Sequence, residues 1–180
     1  MKLSPTYANV LARDLRLTAA HEAAHVVVAR WSGVDAFAWL WLTRKKDTQN
    51  GRLALGRCQL MDQPATEHHC KLIGVAGAVG ELLLSDLNFA DGLAVHKCMS
   101  RSDCENADVP HYSDEWAWSY GNQRFADTVR EVGILLRDEL AREWRTLAQQ
   151  LAHSANPAAS GRPLSGKALS SALLCDCGVD

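Results

Sequence analysis

Hydrophobic and polar positions change their period several times along this chain, and each change predicts an element. From about Pro5 or Leu11 to Trp31 the run predicts a helix, with Ser4-Pro5 as a start and Ser32-Gly33 as a stop. Ala36 to Thr43, with Phe37, Trp39 and Trp41 among alanines and leucines, reads as a strand. A charged, polar turn from Arg44 to Gly51 separates it from a second strand-like run, Arg52 to Met61. Together they predict a β-hairpin with a long loop. Gln63 to Thr66 then leads into a helix from about Glu67 to Ser85. Its middle, Gly74 to Gly80, is built from small residues. Each glycine there costs up to about 1 kcal/mol against alanine, so the close approach of another element is expected to compensate. A loop from Asp86 to Met99 follows.

Ser102-Asp103-Cys104-Glu105 is a capping box and predicts a short helix starting near Asp103, stopped by Pro110. A long amphipathic helix is expected from about Asn122 to His153. Its stripe is Phe125, Val129, Val132, Leu136, Leu140, Trp144, Leu147 and Leu151, at spacings of three and four. Asn156 to Pro163 reads as a connector, and Ser165 as the cap of a last short helix ending near Leu174. The order predicts an α+β fold, mainly helical: a first helix, a hairpin, and a helical bundle with a long C-terminal helix.

Composition narrows the class. The chain has 180 residues, 47% apolar and 22% charged, as expected of one globular domain. Nineteen basic against 21 acidic residues give a net charge of −2, so bulk charge points to no nucleic-acid partner. No apolar run reaches the roughly 20 residues of a membrane segment, and Met1 to Leu17 lacks the apolar core of a secretory signal. A cytoplasmic location is the expectation. The six cysteines form no CxxC pair and read as reduced thiols; Cys175 and Cys177 make a CxC of weak significance. Gly161 to Ala168 fits GxxxxGK but lacks the Ser or Thr that a phosphate-binding loop requires.

The candidate chemistry lies in the first helix. His21-Glu22-Ala23-Ala24-His25 is HExxH. Histidines four apart project from one helix face, one turn above the other, and their neutral nitrogens can bind one Zn²⁺. Glu22 lies about 100° round the axis, beside the metal, where it can take a proton from an activated water and pass it to a leaving amine. The flanking Ala19, Ala20, Val26, Val27 and Val28 place the motif against a core. A catalytic zinc needs a third protein ligand. Glu81, Asp86, Asp91, His96, Asp103 and Asp108 are the candidates, and spacing alone does not choose among them.

Ala19 to Val27 resembles the zinc helix in the peptidase domain of FtsH-type ATP-dependent zinc metalloproteases. The likeness extends in pattern and order from about Thr18 to Leu174. It takes in the hairpin, the small-residue helix ending in an acidic residue and leucines (Val75 to Leu84), the segment Ser100-Arg101-Ser102-Asp103, and the closing helices. The resemblance implies that His21, His25 and Asp103 bind zinc and that Glu22 is the general base. Ala20 and Ala24 depart from the aromatic and glycine that the family usually places before its histidines, and Asp108 and Glu81 stay open as alternatives to Asp103.

The expected domain, residues 1–180, has a lead-in of 1–17 and a connector with a short helix at 157–180. This length leaves no room for the family's membrane anchor and ATPase module. The expected activity is therefore a stand-alone zinc endopeptidase acting on peptides or flexible protein segments, as a homo-oligomer or with a separate partner protein. A hairpin edge could hold such a segment by strand addition. A non-proteolytic binding or regulatory module retaining the fold is the alternative, and a helical protein with an accidental motif the third reading.

Overall fold

The computed structural model describes residues 5–42, 52–85, Val95, Met99 and 123–155. The chain is α+β and mainly helical, as expected. Its first helix, α1 (Pro5–Trp31), begins on a proline whose missing N–H costs nothing in the first turn. It ends in a Schellman motif: Gly33 N–H bonds the Arg30 carbonyl and Val34 N–H the Ala29 carbonyl, both at 2.9 Å. That reversal needs a left-handed residue, and Gly33 supplies it at φ 80°.

Strands β1 (Ala36–Leu42) and β2 (Ala54–Leu60) pair antiparallel, from Ala36 opposite Leu60 to Leu42 opposite Ala54. Both lie within the predicted runs. Ala36, Ala38 and Leu40 are buried on one face, while Phe37 and Trp39 stack on the other, with ring centroids 5.6 Å apart. Helix α2 (Glu67–Leu84) is capped by Thr66, whose hydroxyl accepts from the His69 N–H at 3.1 Å.

The hairpin is tied to α1 by side chains one turn apart. Asp14 is 1% exposed and accepts the Leu53 N–H at 2.9 Å; the Thr18 hydroxyl donates to the Ala54 carbonyl at 3.1 Å. Further along, Arg30 reaches the Ala36 carbonyl at 3.2 Å. Positions 14, 18 and 22 follow the helical i, i+4 period, so Glu22 continues the row that grips β2.

The predicted C-terminal helix is interrupted. Helix α3 (Gln123–Ile134) runs into a π turn (Leu135–Glu139), and α4 (Ala141–Ser154) resumes beyond Leu140. The Leu140 N–H bonds the Leu135 carbonyl at 2.7 Å, five residues back. The stripe explains the break. From Val132 through Leu136 and Leu140 to Trp144 the spacing is four three times, which carries the apolar face roughly 120° round an ideal α-helix. A wider turn takes up the drift. Phe125, Val129, Val132, Leu136, Trp144, Leu147 and Leu151 all stay buried, with Leu140 packed beside them.

These elements share one core with α1 at its centre, in contact with α2, α4 and both strands. Ala19, Ala20, Ala23, Ala24 and Val26 to Ala29 are each no more than 1% exposed. A helix apolar on all sides is a buried helix. The run Val26-Val27-Val28 has only modest helix propensity, and packing overrides it. Trp144 of α4 donates its indole N–H to the Ala20 carbonyl at 2.9 Å, directly ahead of His21. No helix among the described residues is long and apolar enough to cross a membrane.

Asp14→Ala would leave the buried Leu53 N–H unpaired. The expected loss is about 1–3 kcal/mol of unfolding free energy, measured by urea denaturation. A change below a few tenths of a kcal/mol would show that the hairpin does not depend on this clamp.

Candidate metal centre

His21, Glu22 and His25 lie in the buried middle of α1, where an ionisable group is costly unless partnered. Each histidine is held from behind. His25, 6% exposed, donates Nδ1–H to the Ile73 carbonyl of α2 at 2.7 Å. A carbonyl only accepts, so the hydrogen is on Nδ1 and the Nε2 lone pair points forward. His21 Nδ1 meets Glu81 Oε1 at 2.8 Å, and an ionised carboxylate fixes the same tautomer.

The two Nε2 atoms converge to 3.0 Å. Two lone pairs repel at that separation, and a shared proton or a metal between them would relieve the repulsion. Two Zn–N bonds of the usual length, at a tetrahedral angle, put the nitrogens roughly 3.3 Å apart. The donor set and its spacing therefore fit zinc. Among the described residues no third His, Cys, Asp or Glu joins the pair to form a three-ligand group. Asp103 and Asp108 lie outside the described residues, as do Asp86, Asp91 and His96.

Glu81 takes a different place from the one open to it in the sequence. Its carboxylate faces the Nδ1 side of His21, behind the convergent nitrogens, where it orients the imidazole. It also pairs with Arg52: Nη1 donates to Oε1 at 2.9 Å and Nη2 to Oε2. Burial opposes the charge on Glu81, as does its seat in the last turn of α2, near the negative end of the helix dipole. The hydrogen bonds from His21 and Arg52, with the positive charge of Arg52, outweigh burial and hold its pKa below the ordinary glutamate value.

Glycines make the room. An ideal Cβ on Gly77 would collide with Nε2 of both histidines, and one on Gly56 of β2 with the Glu22 side chain. At Gly80 a Cβ would come within 2.9 Å of Ala24 Cβ and 3.0 Å of the Ala20 carbonyl. The small-residue stretch thus serves two ends. Gly80 lets α1 and α2 approach, as expected of such a helix, and Gly77 clears the space before the imidazoles. Glu22, 7% exposed, lies between the motif and the hairpin, beside Gly56 and Leu40.

Sequence reasoning missed Arg52, Gly56 and the outer role of Glu81. Arg52 carried no local signal, because its partner is 29 positions away. A cavity of about 500 Å³ opens between the end of β2 and the start of α2, lined by Met61, Pro64, Cys70 and Ile73 among others. Among the described residues it touches the centre through Ile73, whose carbonyl holds His25. Compared with known proteins, the chain matches no family model and no curated protein sequence.

Two outcomes are expected. On propensity alone Gly77→Ala should stabilise α2 by up to about 1 kcal/mol. Here the added methyl must push both imidazoles off their Glu81 and Ile73 anchors, so a net loss of about 1–3 kcal/mol is expected in urea titrations of the metal-free protein. The second concerns pH. Glu81 is held below the ordinary value in the folded state, while in the unfolded chain a glutamate takes up its proton near about pH 4.3. Its stabilising contribution is therefore complete above that pH and lost as pH falls through the lower folded value. In chelator, the stability gap between wild type and Glu81→Gln should shrink as pH falls below about 4.3. A gap that widened on acidification would contradict the pairing.

Proposed function

We propose that this chain is a zinc-dependent endopeptidase whose site is built on the HExxH helix. The observation that carries the reading is the convergence of His21 and His25 Nε2 at 3.0 Å, with both Nδ1 atoms tied back and Glu22 alongside. An accidental motif on a solvated helix face gives no reason for these anchors.

In this proposal His21 and His25 hold the metal with a third ligand. The resemblance to FtsH-type peptidase domains assigns that place to Asp103. Bound zinc would supply Lewis acidity, polarising the scissile carbonyl and making water a usable nucleophile near neutral pH. Glu22 is the proton carrier. As a carboxylate it takes a proton from the attacking water, and as the acid it returns that proton to the departing amine nitrogen. Gly56 leaves the space that the Glu22 side chain occupies. The hairpin runs beside Glu22 and suits an extended peptide, whose backbone pairs along a strand edge with little demand on side chains. Substrates of this kind are accessible peptides or flexible protein segments.

Glu22→Gln should keep stoichiometric zinc and lose peptide cleavage by about 10²–10⁴-fold, scored on casein or a fluorogenic peptide library. Chelation should abolish wild-type cleavage, and added Zn²⁺ should restore it. Equal cleavage by wild type and Glu22→Gln would remove Glu22 from the mechanism. A wild-type protein that takes up no zinc would end the metallopeptidase reading.

A further inference from the structure

Arg52 lies two residues before the hairpin's second strand, and its guanidinium closes on Glu81 of α2. The pair is two-pronged, one donor to each carboxylate oxygen, so it fixes the carboxylate's plane as well as its charge. The guanidinium is mostly shielded, at 23% side-chain exposure, and Glu81 more so at 5%. Oε1 of that fixed carboxylate is the atom that meets His21 Nδ1. The groups form a relay from hairpin to imidazole: guanidinium, carboxylate, ring, and Nε2 at the far end. His25 Nδ1 is anchored instead to the Ile73 carbonyl of α2.

We propose that Arg52 is a positioning residue for the metal: through Glu81 it sets the tautomer and ring angle of His21, so the hairpin's seating and metal affinity are coupled. The proposal rests on the metal reading given above. Coupling is reciprocal, so a metal on His21 also tightens the contact that holds the start of β2. The neighbouring clamps of Leu53 and Ala54 to Asp14 and Thr18 make this a built junction, with three successive residues each tied to a helix. Substrate pressing on the hairpin would then be felt at His21.

The test is a zinc titration by calorimetry with a competing chelator, on the full chain, for wild type, Arg52→Gln, Arg52→Lys, Glu81→Gln and the double variant Arg52→Gln/Glu81→Gln. Arg52→Gln should weaken zinc binding by about 10–100-fold, as for other partners behind a ligating histidine. Arg52→Lys should fall between, since it restores charge without the two-pronged geometry. The double variant should bind no more weakly than Glu81→Gln, because Arg52 acts through Glu81. Metal-free ¹H–¹⁵N spectra of the imidazoles add a readout that a general loss of stability does not mimic. The His21 Nδ1–H signal should shift and broaden in Arg52→Gln, while that of His25 is unchanged. Wild-type zinc affinity in Arg52→Gln, or additive losses in the double variant, would overturn the relay and leave the metal reading intact. A wild-type protein that binds no zinc would overturn both.

Discussion

The middle of α1 is enclosed on all sides by apolar packing, and it must nevertheless carry two imidazoles and a carboxylate. Each buried polar atom there needs a partner or it destabilises the fold, and each partner has to come from another element. The rest of the structure answers that demand. Helix α2 supplies the Ile73 carbonyl to His25 and Glu81 to His21; the segment leading into β2 supplies Arg52 to Glu81; and Gly77 and Gly56 withhold side chains where imidazole and carboxylate must sit. The fold's contacts and the site's contacts are largely the same contacts.

This overlap explains why the hairpin and the C-terminal helices bear on the chemistry. Asp14 and Thr18 seat β2 against α1 one turn at a time, and the next residue of that row is Glu22. Trp144 donates to the Ala20 carbonyl on the turn leading into His21. The indole lands there only because the π turn re-aims α4. Without that wider turn, the run of four-residue spacings would rotate Trp144 roughly 120° off the buried face. Uncommon in helices generally, π turns recur at functional sites; here the turn acts at a distance, by restoring register to a stripe that packs behind the motif.

Much of this was legible in the residues. The period of apolar positions gave α1, both strands and α2 to within a few positions, since those segments pack along one uninterrupted face or are buried throughout. The HExxH spacing put both histidines on one side of a helix, and that geometry is local. The interrupted helix was also written in the chain, as three consecutive spacings of four, but a stripe taken as a whole hides the accumulated drift. Glu81 was visible as a carboxylate near the end of a small-residue helix. Its role turned on which nitrogen of His21 it meets, and sequence does not encode that.

The sequence by itself determined the element order, the mainly helical α+β class and the two-histidine motif, because helix and strand periodicity and i, i+4 spacing are properties of neighbouring residues. Tertiary structure decided the function of each residue around the motif. Gly77 and Gly80 are alike in sequence, three apart on one helix, yet one clears space for imidazoles and the other lets two backbones meet. Arg52 and Glu81 are 29 positions apart and become one unit behind His21. Such assignments depend on which surfaces the packing of α1, α2 and the hairpin brings together, and burial makes those few contacts matter more than the many exposed ones.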